Sequence, residues 1–270
     1  MTVNEIVCYT DLSYKIGQFP PGLMLRDKQV NQIRHHGVLA HGLGVQAIRA
    51  NVGSDVRIGI ADNPNISMPA IETAEHIAAA QRATRETNAP FLTAIMKGKY
   101  LDSYLIAAGA DAPLVRDGDM TAIGSPLDFV GLNIYMGQYV RADNSARGYA
   151  VLERTKSSPH MTLLWLLVEP ESVYWAVRQV SELWRPKTLY ITENGCSADD
   201  KLTRDRVDDA DRIMYLRNYI KVSVPFPPKV AVWKTWVNQW VSVFWDAKLL
   251  ISRDIHRAAV FARRDWASWP

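Results

Sequence analysis

Two glutamates stand where chemistry is usually done. Glu193 lies within the run Lys187-Thr188-Leu189-Tyr190-Ile191-Thr192-Glu193-Asn194-Gly195-Cys196. Leu189, Tyr190 and Ile191 are strand formers, and Asn194-Gly195 is a strong turn signal, so Glu193 falls at the carboxyl end of a short strand. In α/β folds that edge is where active sites are built. A solvated loop glutamate fits the same pattern. Glu5 follows Val3 and Asn4 and precedes Ile6. A polar pair between two apolar residues suits the end of a strand facing a cleft, and a frayed terminus suits it equally well. A carboxyl at such an edge can exchange a proton or act as a nucleophile.

Other reactive residues give weaker signals. His35, His36 and His41 lie on one predicted helix without the glutamate partner of a zinc-binding helix. No metal or cofactor is expected; the histidines read as helix surface and one packed ring. Cys8 and Cys196 are far apart and lack metal-ligand spacing, so they read as free thiols of a reducing, cytoplasmic setting. No leader peptide is visible at the start, and no run of apolar residues is long enough to span a bilayer.

The elements that must position the glutamates are strands alternating with helices. A helix is predicted over 28–50 with Asp27 as its N-cap, a strand over Val56–Ala61, and a loop at Asp62-Asn63-Pro64-Asn65. A helix follows over Pro69–Thr87 with Glu72 in its first turn. Helical turns and loop are expected over 91–110. Pro126–Tyr135 is a nearly continuous apolar strand, as in a parallel sheet buried on both faces. Asn133 and Tyr135 leave its carboxyl end on one side. Residues 141–162 read as a long polar loop. Further helices are expected over Glu169–Trp184, following Pro170 into its first turn, and over about 205–220. This order implies right-handed crossovers and a parallel sheet.

Of 270 residues, 48% are hydrophobic and 22% charged, which leaves room for a sizeable core. The net charge of +3 is unevenly spread. Residues 221–270 carry eight Lys or Arg against three Asp and six of the nine Trp; the preceding residues carry 23 basic against 25 acidic side chains. The break near 221 divides the chain into a globular part, 1–220, and a basic Trp-rich tail, 221–270. The tail can be read as foreign coding sequence. It can also be a replacement helix with a stripe of Val230, Trp233, Val237, Trp240, Val241 and Phe244, or an interfacial membrane helix.

Five motifs in order resemble glycoside hydrolase family 1, the β-glucosidase group. Ile191-Thr192-Glu193-Asn194-Gly195 matches the family's nucleophile motif. Thr2-Val3-Asn4-Glu5 is similar to its acid/base motif, Thr-x-Asn-Glu-Pro, with Ile6 in place of the proline. Leu127–Tyr135 resembles its sixth-strand segment. Ala40–Arg49 and Asp209–Leu216 resemble the helices after the acid/base and the nucleophile. The resemblance covers residues 1–220.

It implies an α/β fold, a partial (β/α)8 TIM barrel comprising about strands 4–7 with their helices, followed by an unrelated Trp-rich segment. It also implies retaining hydrolysis of β-glycosides. Glu193 would be the nucleophile and Glu5 the general acid/base. Asn4 would bind the sugar's 2-hydroxyl, Asn133 would line the site, and Tyr135 would hold Glu193 and favour its charged form. Retention needs one protonated carboxyl at the leaving oxygen and one carboxylate under the anomeric carbon, about 5–5.5 Å apart.

On this reading the chain starts inside the fourth strand. The family's sugar-binding Gln, His and Arg lie in strands before it, and the eighth-strand Trp-Ser-Leu segment is not found after 220. The expected partner is a β-linked oligosaccharide or an aryl or alkyl glycoside; no nucleic acid or membrane partner is expected. The alternative is a non-catalytic remnant that binds sugar or self-associates through open sheet edges.

Overall fold

A computed structural model describes residues 1–163, 166–203 and 205–223; the expectations for the Trp-rich tail lie outside them. The chain opens with an extended stub, residues 2–4, followed by a helical segment over 6–14. Helix α1 spans Asp27–Asn51, strand β1 Gly59–Asp62, β2 Ser67–Pro69 and α2 Ala74–Thr87. Three short helices follow: α3 Ala94–Lys97, α4 Asp102–Ala108 and α5 Asp119–Ile123. Then come β3 Phe129–Asn133, β4 Gln138–Ala142, β5 Tyr149–Val151, α6 Glu171–Leu183, β6 Leu189–Glu193 and α7 Ala210–Ser223.

The inner sheet has the order β1-β3-β6, all parallel. The stub extends it: Asn4 bridges Ala61 in parallel, Thr2 N–H donates to the Gly59 carbonyl at 3.0 Å, and Glu5 N–H donates to the Ala61 carbonyl at 2.9 Å. Strand order therefore follows chain order, with helices between successive strands, as in part of a β/α barrel. Among the described residues, the stub and β6 are its outer members. β1 is buried throughout, and β3 is buried from Val130 onward. That is the signature of a strand covered on both faces, and it is why these runs read as nearly continuous apolar sequence. The core gathers Ile6, Ile60, Val130, Leu132, Ile191 and the α6 residues Trp175, Val177 and Val180.

A second sheet, of order β2-β4-β5, was not expected; β5 and the end of β4 fall within 141–162. β2 and β4 run parallel, and β4 turns back antiparallel onto β5. The expected polar loop over 141–162 thus contributes to a hairpin, and the helix expected from Pro69 begins only at Ala74. Its N-cap is Thr73, whose hydroxyl accepts the His76 N–H. Pro69 is free to end β2 because the next residue, Ala70, donates to the Val140 carbonyl. Asp27 is the first residue of α1 rather than its cap, which is Arg26. The strand expected at 56–61 is shifted to Gly59–Asp62, and α7 starts at Ala210 and runs to Ser223.

Two histidines are packed, not one. His35 and His41 are buried on α1, while His36 is exposed. Their rings share the inward face with Gly37 and Gly42, which explains why the apolar stripe of this helix is weak.

Candidate active site

All five residues singled out in the sequence meet at one edge of the inner sheet. The stub ends at Asn4, opposite Ala61, so Glu5 leaves the sheet beside the carboxyl end of β1. Ile6 turns inward and is fully buried, and the helical segment begins there. Glu5 makes this corner with φ of 48°, left-handed backbone that a side chain other than glycine rarely adopts. Such a conformation is unfavourable by about 1–3 kcal/mol and persists only when its surroundings hold it.

Asn133 supplies much of that hold. Its Nδ2 donates to Glu5 Oε1 at 2.8 Å and to Asn4 Oδ1 at 3.1 Å. Its Oδ1 accepts from Thr192 Oγ1 at 2.6 Å; the carboxylate, an acceptor only, sets which end of the amide faces it. Asn133 is 1% exposed, so each of these bonds replaces water that it cannot reach. The Thr192 contact depends on Gly131: a Cβ there would stand 2.6 Å from Thr192 Cγ2.

Glu193 reaches the same edge through an irregularity in the pairing. Leu132 lies opposite Ile191, but Asn133 lies opposite Glu193, so β6 has one extra residue at Thr192. A bulge of this kind re-aims the side chains that follow it. Tyr135 then donates its hydroxyl to Glu193 Oε2 at 2.8 Å. Burial, followed by the bond to Glu193 and its charge, pushes the Tyr135 phenol far up, so it remains a donor.

The two strand ends are joined beneath this bond. Ile134 N–H donates to the Glu193 carbonyl at 2.9 Å, and Asn194 Nδ2 donates to the Ile134 carbonyl at 2.6 Å and to Tyr215 Oη at 2.7 Å. Tyr219 donates to the Tyr135 carbonyl at 2.7 Å and stacks on Tyr215 with ring centroids 4.0 Å apart. Helix α7 therefore fastens the segment that presents Glu193.

Four contributors to the site went unread in the sequence. Asn63 Nδ2 lies 3.4 Å from Glu5 Oε1, and Cys8 Sγ donates to Glu5 Oε2 at 3.0 Å. Asp62 is buried beside them at 2% exposure. Burial pushes its carboxyl up to about 6; the Glu5 charge adds to this, while backbone N–H groups of Asn63 and Ile6 oppose it. His41 sits behind the stub, its Nδ1 hydrogen-bonded to Thr2 Oγ1 at 2.5 Å. Burial lowers it to about 4, so the ring is neutral. The usable signal for Asp62 and Asn63 was their place just after a predicted strand, the same signal that marked Glu193. No group of three or more His, Cys, Asp or Glu among the described residues could hold a metal ion.

Comparison with known proteins bears on this arrangement. The sequence model of "Glycosyl hydrolase family 1" matches residues 1–225. A 1,4-beta-D-glucan glucohydrolase of Thermotoga neapolitana is 36% identical over 225 residues, which is 82% of this chain and 52% of that protein. Beta-glucosidase A of Thermotoga maritima is 36% identical over 224 residues, covering 82% of this chain and 49% of its own.

Among solved structures, a family 1 β-glucosidase from Thermotoga maritima superposes with a TM-score of 0.70 at 30% identity, over 87% of this chain and 54% of that one. A Thermotoga maritima family 1 glycoside hydrolase complexed with a cyclophellitol analogue transition state mimic gives 0.71 at 30% identity, with the same coverage. The chain spans about half the length of the curated relatives it matches.

Proposed function

The chain belongs to glycosyl hydrolase family 1, and from that premise we propose that it hydrolyses β-glycosides with retention, as a β-glucosidase-type enzyme. The observation that carries the reading is the convergence of two carboxylates, each with its own donors, on one sheet edge. Asn133 holds Glu5, and Tyr135 holds Glu193.

In this reading Glu193 attacks the anomeric carbon. The bond to the leaving oxygen breaks as Glu5 gives that oxygen a proton, and a glycosyl ester on Glu193 forms. Glu5, now ionised, takes a proton from water; the water oxygen attacks the anomeric carbon and Glu193 leaves as a carboxylate. The phenol on Oε2 orients Glu193 for both steps. Asn4 is exposed at the cleft and tied to Asn133, a position suited to a sugar hydroxyl beside the anomeric carbon. The substrate is a β-linked oligosaccharide or an aryl or alkyl glycoside. Free thiols at Cys8 and Cys196 suit a reducing compartment.

Release of p-nitrophenol from p-nitrophenyl β-glucoside by the purified chain tests the proposal. Turnover that disappears in Glu193→Gln is expected. No turnover, or turnover indifferent to that substitution, overturns it for this chain.

The second reading is self-association without catalysis, motivated by the stub and β6 as outer strands among the described residues. It requires oligomers by size-exclusion chromatography, and a monodisperse monomer rejects it.

A further inference from the structure

Cys8 meets Glu5 at two points. Its backbone N–H donates to the Glu5 carbonyl at 2.9 Å, closing the turn that starts the helical segment. Its thiol donates to Glu5 Oε2 at 3.0 Å. The other carboxylate oxygen, Oε1, faces Asn133 at 2.8 Å and Asn63 at 3.4 Å. The two oxygens of Glu5 therefore have separate donors, from different elements. One residue both closes the left-handed corner at Glu5 and donates to the second oxygen of its side chain.

We propose that Cys8 is a positioning residue for Glu5: its thiol holds Oε2 so that the carboxyl keeps one orientation while it alternates between acid and base. The catalytic consequence rests on the hydrolase reading above; the contact itself does not.

The chemistry of the thiol suits this task. Burial, then the bond to Glu5 and the charges of Glu5, Asp62 and Glu193, push Cys8 up to about 12. The group stays a neutral donor and does not become a thiolate among three carboxylates. A thiol is also a weak donor, so it can orient the carboxyl without competing strongly for the proton that Glu5 must give and take. Packing alone would ask only for a small apolar residue at this position. The hydrogen bond and the half-buried setting point to a polar duty as well.

The test uses the full chain with its glutamate side-chain carboxyls labelled with carbon-13, the Glu5 resonance being assigned by its loss in Glu5→Gln. Cys8→Ala is expected to move the Glu5 resonance, and Cys8→Ser, which restores a donor, to return it toward its original position. On p-nitrophenyl β-glucoside, Cys8→Ala should lower kcat about tenfold, the size expected for one hydrogen bond to a charged group, with KM little changed. Cys8→Ser should recover most of that loss, and Cys196→Ala should leave both readouts as they were.

A Glu5 resonance unmoved in Cys8→Ala, or moved equally in both variants, overturns the proposal, as does a kcat indifferent to Cys8→Ala. If the parent chain shows no turnover, the hydrolase reading fails, and the resonance alone decides the positioning role. Should Cys8→Ala not fold, the S–H stretching band of Cys8 decides. Its frequency should shift in Glu5→Gln, and an unshifted band overturns the contact.

Discussion

Glu5 and Glu193 share one sheet edge, yet the two ends of the site are built differently. Glu5 sits on left-handed backbone and takes donors on both oxygens, from Asn133, Asn63 and Cys8. A neutral buried histidine lies behind its stub, and a buried carboxyl lies beside it. Glu193 sits at the end of a regular strand, past a single bulge. Tyr135 holds one of its oxygens, and its backbone is fastened to Ile134. Among the described residues no side chain donates to its Oε1.

The difference suits the two tasks proposed for them. A group that must alternate between acid and base is steadied by several neutral donors, while a nucleophile needs one oxygen held and the other free to attack.

The largest expected effect separates the two roles. Glu193→Gln should abolish hydrolysis of p-nitrophenyl β-glucoside. Glu5→Gln should lower it by about 10²–10⁴-fold and leave a burst of p-nitrophenol ahead of slow turnover. That phenol leaves with little protonic help, whereas hydrolysis of the glycosyl ester still needs the base. Stopped-flow absorbance checks both; equal losses without a burst would remove the distinction.

The next effect sharpens the asymmetry through stability. His41 is lowered from 6.5 to about 4, so as pH falls from 6.5 towards 4 the unfolded state binds its proton first and stability is lost. Asp62 is raised from 3.8 to about 6, so its burial weakens the fold increasingly as pH rises from 3.8 through 6. Each amounts to roughly 3 kcal/mol, with opposite slopes between pH 4 and 6. In the parent chain they largely cancel. Asp62→Asn should leave the His41 slope exposed, with stability falling by roughly 3 kcal/mol between pH 6.5 and 4. His41→Gln should give a chain that gains stability over the same descent. Urea denaturation at stepped pH measures both, and parallel curves for the two variants would refute the assignment.

A smaller effect is expected at the other end. Tyr135→Phe deletes one donor to a charged group and should lower kcat about tenfold. It should leave the His41 and Asp62 contributions as they were, so that Asp62→Asn and His41→Gln tilt the pH curve equally with and without Tyr135→Phe. Unequal tilts would mean that the two ends are coupled.

The same asymmetry governs what could be read in the sequence. Glu193, Asn133 and Tyr135 were legible because β3 is buried on both faces from Val130 onward and β6 buries Leu189 and Ile191, so both announce themselves as apolar runs that stop at a polar residue. The change of character at Asn4 left Glu5 open between a strand end and a frayed terminus, and the resemblance of Thr2-Val3-Asn4-Glu5 to a family motif singled it out. Asp62 and Asn63 follow the same rule after β1 but were read as loop, because a Pro-Asn pair immediately follows them. Cys8 was read as a free thiol, since a side chain that folds back three residues through a helical turn leaves no spacing signal. β2, β4 and β5 were missed for another reason. β2 and β5 are only three residues long, β4 carries Gln138 and Arg141, and β2 pairs with a strand far along the chain: the Gln138–Ser67 bond spans 71 residues. No local pattern records such a partner.

The bond from Asn133 to Glu5 joins residues 128 positions apart, and strand order follows chain order. Each parallel strand can dock on its predecessor with its own helix, one unit at a time. The hydrogen bonds that define the site have no such local route. Asn133 can grip Glu5 only after β1 has been laid between them, and Tyr135 can grip Glu193 only after β6 has arrived. Closing these long loops is entropically slow. The left-handed corner at Glu5 can take its local restraint from Cys8 early, but that from Asn133 must wait until the layered framework has brought the two carboxyls together.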